Sequence, residues 1–247
     1  MDTHNKKISI ITPSFNQGEF IEDTIHSVMN QDYENVEHII VDGGSTDNTI
    51  EILGKYPQIK WISEKDNGPA SAINKGFRLA SGDIFAWINS DDYYEPNIFN
   101  PIINQFKAGI NLIFGNITFV YPEAGRMDKL KIKPYTLEEL IHKSADTIRQ
   151  PGIFFTRDLF YSVGGLNESL KLVFDYELVL KMLKVSTSKY LNINIAYQRM
   201  YQGTLTKKNI RKQALEIYNV SREYGAKLYD VIMLKSVLRK ILFPSMY

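Results

Sequence analysis

The sequence predicts an α/β fold, with a mainly parallel sheet flanked by helices and a C-terminal helical tail. Three observations carry that expectation. Short apolar runs alternate with helical patterns through the first hundred residues, polar and acidic residues gather just after each run, and glycine or acid pairs mark two of those junctions. Strand, helix, strand at this spacing is the pattern of βαβ units, and open parallel sheets collect ligands at the carboxyl ends of their strands.

In order, residues 8–12 read as a strand, 18–30 as an amphipathic helix, 36–42 as a strand and 46–55 as a helix. Residues 59–63 repeat the strand signal, 69–80 the helix and 84–89 the strand. Ser14 and Asn16 follow the first strand, 42–47 the second, 64–67 the third and 90–92 the fourth. The second half has a different texture. Residues 111–121 are β-prone with a Gly115-Asn116 interruption, 122–135 form a turn-rich loop and 137–142 a short helix. Residues 150–156 are a further strand candidate, two helices follow on either side of Gly164-Gly165, 189–197 is a strand, and the tail is helical from about Lys207.

Composition narrows the function classes. Of 247 residues, 44% are hydrophobic and 23% charged, which excludes a disordered or collagen-like chain. The 29 Lys and Arg against 28 Asp and Glu give no bulk basic charge for nucleic acid. That balance conceals a split, because the tail from Lys207 holds nine Lys or Arg and only three Asp or Glu. Cysteine is absent, so disulfides, thiolate metal sites and cysteine nucleophiles are excluded and a metal would need oxygen or imidazole ligands. The four histidines lack metal-ligand spacing and read as structural or exposed. A polar start followed by a five-residue apolar run resembles no export signal. No run approaches the roughly 20 apolar residues of a spanning helix. A cytoplasmic protein is expected, soluble or peripheral at the inner face of the membrane.

Three clusters carry chemistry. Asp42-Gly43-Gly44-Ser45-Thr46-Asp47 combines a tight turn with helix-capping side chains, leaving backbone N–H groups for an anion or a polar base; a plain strand-to-helix turn asks for the same residue types. Asn89-Ser90-Asp91-Asp92 ends an apolar strand in adjacent carboxylates, which suits a hard divalent cation on oxygen ligands as well as a solvated turn. Asp175, before the helical pattern 178–183, is either a first-turn helix acid or a general base. No phosphate-binding loop of the NTPase type and no dinucleotide fingerprint appears.

The ordered motifs ISIITPSFN (8–16), IIVDGGSTDNT (39–49), SEKDNGPASAINKG (63–76), SGDIFAWINSDDY (81–93) and the segment 150–181 resemble the inverting nucleotide-sugar glycosyltransferases of family 2, whose fold is called GT-A. The resemblance implies a GT-A catalytic domain over 1–206, its first hundred residues binding the nucleotide sugar and 101–206 the acceptor, before a basic amphipathic tail over 207–247. It implies that Pro13, Ser14 and Asn16 form the first nucleotide loop and that Asp42 contacts the nucleoside; many relatives carry a second acid where this chain has Gly43. Asp66, Asn74 and Lys75 fall in the segment that approaches the sugar or diphosphate. Asn89, Ser90, Asp91 and Asp92 are similar to the DxD-type motif, with Asn at its first position and Asp91 and Asp92 sharing Mn2+ or Mg2+. Asp175 resembles the catalytic base, preceded by Phe174 where relatives have Glu, and Gln150 falls in the acceptor pocket. The loop 199–206 has Tyr201 where relatives often carry a His, and Arg199 or Lys207 is available to offset diphosphate charge.

The implied reaction moves a sugar from a nucleotide-diphosphate sugar to a saccharide or lipid-linked glycan hydroxyl in surface polysaccharide assembly. Two rivals remain at the level of sequence: a nucleotide-sugar-binding module without transferase activity, and a nucleotidyltransferase, which would carry a basic glycine-rich loop after its first strand. In the tail, Val231, Leu234, Leu238, Ile241 and Leu242 fall at helical spacing beside Lys227, Lys235, Arg239 and Lys240. This suits packing on the catalytic domain or lying at an anionic lipid surface.

Overall fold

The structure is a computed structural model, which describes residues 6–106, 109–132, 134, 136–142, 148–204, 209–227, 237–239 and 241–242. His4, Lys207, Val231, Leu234, Lys235 and Lys240 lie outside the described residues. The first half follows the expected alternation: β1 (Ile8–Ser14), α1 (Ile21–Met29), β2 (Val36–Asp42), α2 (Thr49–Leu53), β3 (Lys60–Ser63), α3 (Pro69–Leu79) and β4 (Ile84–Trp87). Local chemistry accounts for the boundaries. Glu22 and Asp23 lie in the first turn of α1, where the helix dipole favours acids, and α3 opens on Pro69, whose missing N–H costs nothing there.

The remaining elements are β5 (Tyr93–Tyr94), α4 (Phe99–Ile103), β6 (Leu112–Tyr121), β7 (Arg126–Leu130), α5 (Leu137–His142), β8 (Ile153–Thr156), α6 (Arg157–Ser162), α7 (Phe174–Leu183), β9 (Ser188–Arg199) and α8 (Ile210–Glu223). The nine strands among the described residues run in the order β3-β2-β1-β4-β8-β6-β9-β5, with β7 added beside β6. β3, β2, β1 and β4 are mutually parallel, as expected. Beyond β4 the sheet is mixed: β8 is antiparallel to β4 and β6, β9 is parallel to β6, and β5 is antiparallel to β9.

Two expectations for the second half are corrected. Residues 122–135 are not simply a loop: Pro122 and Gly125 form the turn of a hairpin in which β7 pairs with the end of β6, from Ile117↔Leu130 to Tyr121↔Arg126. Gly115-Asn116 does not interrupt β6 either. The strand continues, and the irregularity is a register shift against β9 alone.

Both faces of the sheet are covered. Phe85, Trp87, Leu112, Phe114 and Phe155 pack with α3, α6, α7 and α8, whereas the alternate residues Ile84, Ala86, Ile113 and Phe154 pack with α4 and Val28 of α1. The period of two along β4 and β6 thus assigns successive side chains to opposite layers.

Candidate active site

The carboxyl ends of β1, β2 and β3 lie side by side, with Ser14 opposite Asp42 and Asp42 opposite Ser63. Asp42 is fully buried, and its carboxylate accepts hydrogen bonds from Gly44 N (3.0 Å), Ser45 N (2.8 Å), Ser63 Oγ (2.7 Å) and Ser45 Oγ. It shapes the loop that follows it. The first loop is then fastened to this one. Asn16, at φ 52°, accepts from Thr46 N through Oδ1 (2.8 Å) and donates from its own N to Ser45 Oγ (2.7 Å). Gln17 N donates to Thr49 Oγ1 (3.0 Å) and Gly18 N to Asp47 (3.0 Å). Pro13 and Ser14 are buried beneath, and Ser14 Oγ has no partner among the described residues.

Asp66 and Gly43 meet where the loops after β2 and β3 converge. A Cβ on Gly43 would stand 3.0 Å from Asp66 Oδ2, so this carboxylate fills space that a side chain at 43 would need. Asp66 also accepts from Gly68 N (2.8 Å). Lys75 pairs with Glu64, and Asn74 is committed to the chain ahead of α7, donating to Leu166 O and Glu168 (both 2.9 Å) and accepting from Leu166 N (3.0 Å).

The acid turn sits between β4 and β5. Asp92 is 1% exposed; its Oδ1 accepts from Arg199 N (2.9 Å), while Asn89 Nδ2 lies 3.4 Å from Oδ2. Asp91 Oδ2 accepts from Tyr201 Oη (3.0 Å). Burial raises the pKa of Asp91, and burial together with the neighbouring Asp91 charge raises that of Asp92 well above the ordinary carboxylate value. Arg199 approaches the pair without neutralising it directly. Its guanidinium donates to the carbonyl of Asp91 (2.7 Å) and to the carboxylate of Asp23, and it lies over the rings of Phe20 and Tyr93.

Two adjacent carboxylates, Asp92 buried and Asp91 half-buried, without a direct cationic partner are electrostatically costly, and they match the small oxygen donor set with which Mg2+ or Mn2+ is held beside substrate phosphates. Among the described residues no group of three or more His, Cys, Asp or Glu forms a complete cage. Asp91 and Asp92 are the side chains of this turn that would hold such an ion, and the turn by itself supplies only these two acids.

Asp175 stands in the first turn of α7, where Tyr176 N donates to its Oδ1 (2.8 Å). Desolvation pushes its pKa up to about 6. Gln150 opens the turn before β8 rather than lying within a strand; its Nε2 donates to Trp87 O (2.6 Å), and its buried Oε1 has no partner among the described residues.

Sequence reading missed Thr24, whose buried Oγ1 lies 3.0 Å from Ser90 O and 2.6 Å from Asp92 O and so braces the acid turn from α1. The available signal was a hydroxyl within the apolar stripe Ile21, Ile25, Val28. It also missed Glu216 and Ser221 of α8, which contact Leu172 N and the Tyr176 hydroxyl.

Residues 9–162 match the family model described as glycosyl transferase family 2. An uncharacterised glycosyltransferase of Rickettsia typhi is 31% identical over 88% of this chain and 70% of its own length. The chondroitin synthase of Escherichia coli is 29% identical over 83% of this chain and 31% of its own length, so the chain spans about a third of that protein. Among solved structures, Staphylococcus aureus TarS 1–349 in complex with UDP-GlcNAc superposes with a TM-score of 0.68 at 20% identity, covering 96% of this chain and 73% of that one. The mannosyltransferase PcManGT of Pyrobaculum calidifontis, in complex with GDP-Man and Mn2+, gives 0.66 at 14% identity, covering 98% and 76%. Those two likenesses show the GT-A fold. With a family model matched over more than half of its length, the chain belongs to glycosyl transferase family 2.

Proposed function

We propose that the protein is an inverting glycosyltransferase that moves a sugar from a nucleoside-diphosphate sugar to an acceptor hydroxyl in polysaccharide or lipid-linked glycan assembly. The observation that carries this reading is the pairing of two adjacent carboxylates, the buried Asp92 and the half-buried Asp91, with a separate acid, Asp175, whose pKa desolvation raises to about 6. The names of the chondroitin synthase relative and of the UDP-GlcNAc and GDP-Man complexes support the substrate class.

In this reading the nucleoside lies over the loops fastened by Asp42 and Asn16, with Asp66 supplying the carboxylate that residue 43 lacks. The diphosphate faces Asp91 and Asp92, which would hold Mn2+ or Mg2+; when bound, such an ion supplies positive charge for the leaving diphosphate. Asp175 takes the acceptor proton as the acceptor oxygen bonds to the anomeric carbon. The bond from that carbon to the diphosphate breaks on the opposite face, so the configuration inverts. Gln150 Oε1 is free to accept from an acceptor hydroxyl. The exposed Leu238 (51%) and Leu242 (64%), in a tail of strong positive charge, support peripheral contact with an anionic membrane.

The test is thermal stability with UDP-GlcNAc or GDP-mannose, with and without Mn2+, followed by release of nucleoside diphosphate on adding an acceptor. Stabilisation that requires Mn2+ and is lost in Asp91→Ala is expected. Binding of either donor without later turnover would support the non-catalytic module instead.

A further inference from the structure

The catalytic base is reached through an irregular stretch. Between α6 and α7 the chain turns at Gly164 and Gly165, both at positive φ (79° and 69°), and runs to Val173 with no strand partner among the described residues. Backbone N–H groups in such a stretch need partners from elsewhere, and a segment held only by its own turns would place Asp175 loosely. Its first part is clamped from α3, by Asn74 at Leu166 and Glu168. Lys171 Nζ adds a bond to the carbonyl of Asn67, in the loop after β3 (2.9 Å).

The second part is clamped from α8. The Glu216 carboxylate accepts from Leu172 N (2.9 Å) and lies 3.3 Å from Lys171 N, three and four residues ahead of the base. Five residues along α8, the fully buried Ser221 Oγ lies 2.8 Å from the hydroxyl of Tyr176, which is also 2.9 Å from Leu140 O. Tyr176 is the residue whose N–H holds Asp175 Oδ1. Ile217 and Val220, between these two points, pack in the same core cluster as Tyr176, Leu178 and Val179. Lys184, just past α7, lies over the Tyr224 ring at 4.2 Å. The matched family region ends at residue 162, so it says nothing of α7 or α8.

We infer that α8 is a working part of the transferase rather than an appended tail, with Glu216 as a positioning residue that fixes the segment bearing Asp175 and Ser221 as its second point of attachment. The inference rests on the reading of Asp175 as the base. A carboxylate accepting main-chain N–H groups makes stronger bonds than a neutral acceptor, and a displacement of about 1 Å at a reacting group costs on the order of 100-fold in rate. Glu216 acts on main-chain N–H groups of the segment. Its loss should therefore appear in kcat and leave donor binding alone.

The experiment compares full-length wild type, Glu216→Ala, Glu216→Gln, Ser221→Ala and Asp175→Asn. Release of nucleoside diphosphate from UDP-GlcNAc and GDP-mannose is measured in Mn2+ with the saccharide acceptor that supports wild-type turnover, and hydrogen exchange is measured across 166–183. Glu216→Ala is expected to lower kcat by about 30-fold or more with donor KM within about twofold, and to speed exchange at Lys171 and Leu172 at least about tenfold. Glu216→Gln, whose amide oxygen still accepts one N–H, is expected to stay within about fivefold of wild type. Ser221→Ala tests the second attachment should Glu216→Ala fold poorly, with the same split between kcat and KM expected. Wild-type kcat in both alanine variants, unchanged exchange at Lys171 and Leu172, or a loss of turnover no larger than the loss of folded protein would overturn the inference while Asp175→Asn stays inactive. Undiminished turnover in Asp175→Asn would instead remove the base reading, and this inference with it.

Discussion

The phenol of Tyr201 donates a 3.0 Å hydrogen bond to Oδ2 of Asp91, and its ring lies 5.2 Å from that of Phe20. Tyr201 thus closes directly on the acid turn. Tyr201→Phe removes this donor from a largely buried carboxylate and is expected to lower metal-free stability by about 1 kcal/mol. If Mn2+ replaces the phenol as partner of Asp91, the variant gains more melting temperature from added Mn2+ than the wild type does. A smaller gain would make the phenol oxygen itself a ligand. Differential scanning fluorimetry across a Mn2+ titration reads the difference.

Asp175 is expected to trade stability for activity. Its folded pKa, raised by burial to about 6, exceeds the unfolded value, so the stabilising protonated form is fully present below about pH 4 and lost as pH rises through 6. Asp175→Asn should therefore be more stable than wild type by about 2 kcal/mol at pH 8, with the difference vanishing near pH 4. Urea denaturation at the two pH values measures it. In the wild type, turnover should fall on the acid side of about pH 6.

Glu37 has the opposite sign. Its burial alone would raise the pKa, but hydrogen bonds from Ser9, Ser81 and Lys7 outweigh that effect and lower it to about 2. Its stabilisation is present above the unfolded value near 4.5 and is lost as pH falls through 2. Glu37→Gln is expected to cost about 2 to 3 kcal/mol at pH 7 and progressively less in acid. Equal losses at pH 7 and pH 3 would show that packing, not charge, holds this position.

Gly76 marks where α3 approaches β1. A Cβ there would stand 2.4 Å from Ile11 Cγ2, against the middle of a buried strand. Gly76→Ala gains helix propensity of about 1 kcal/mol, yet overpacking of this kind costs about 1 to 3 kcal/mol. Because Ile11 is fully buried, the overpacking is expected to win, seen as a lower urea midpoint with an unchanged slope.

The strand ends of the first half were legible because their signals are local. Alternating apolar runs, glycines at turns and acids after strands lie within a few residues of one another, and β2 matches its expected bounds at both ends. The strand within 122–135 is not legible, because Pro122 and Gly125 are turn residues and β7, largely exposed beside β6, carries too little buried apolar pattern to announce a strand.

The sequence by itself determined the α/β class, the parallel half of the sheet, and which carboxylates stand at strand or helix ends. Tertiary structure alone decided what those carboxylates do. It committed Asp42 to its own loop and Asn74 to Leu166, set Asp66 against Gly43, and brought Arg199 onto Asp23, 176 positions away. It also turned α8 toward the segment before Asp175. Periodicity reports which face of an element is buried, because burial repeats with the geometry of the helix or strand. Partners brought together by chain crossovers leave no such period, since their distance along the chain is unrelated to the 3 Å that separates their atoms.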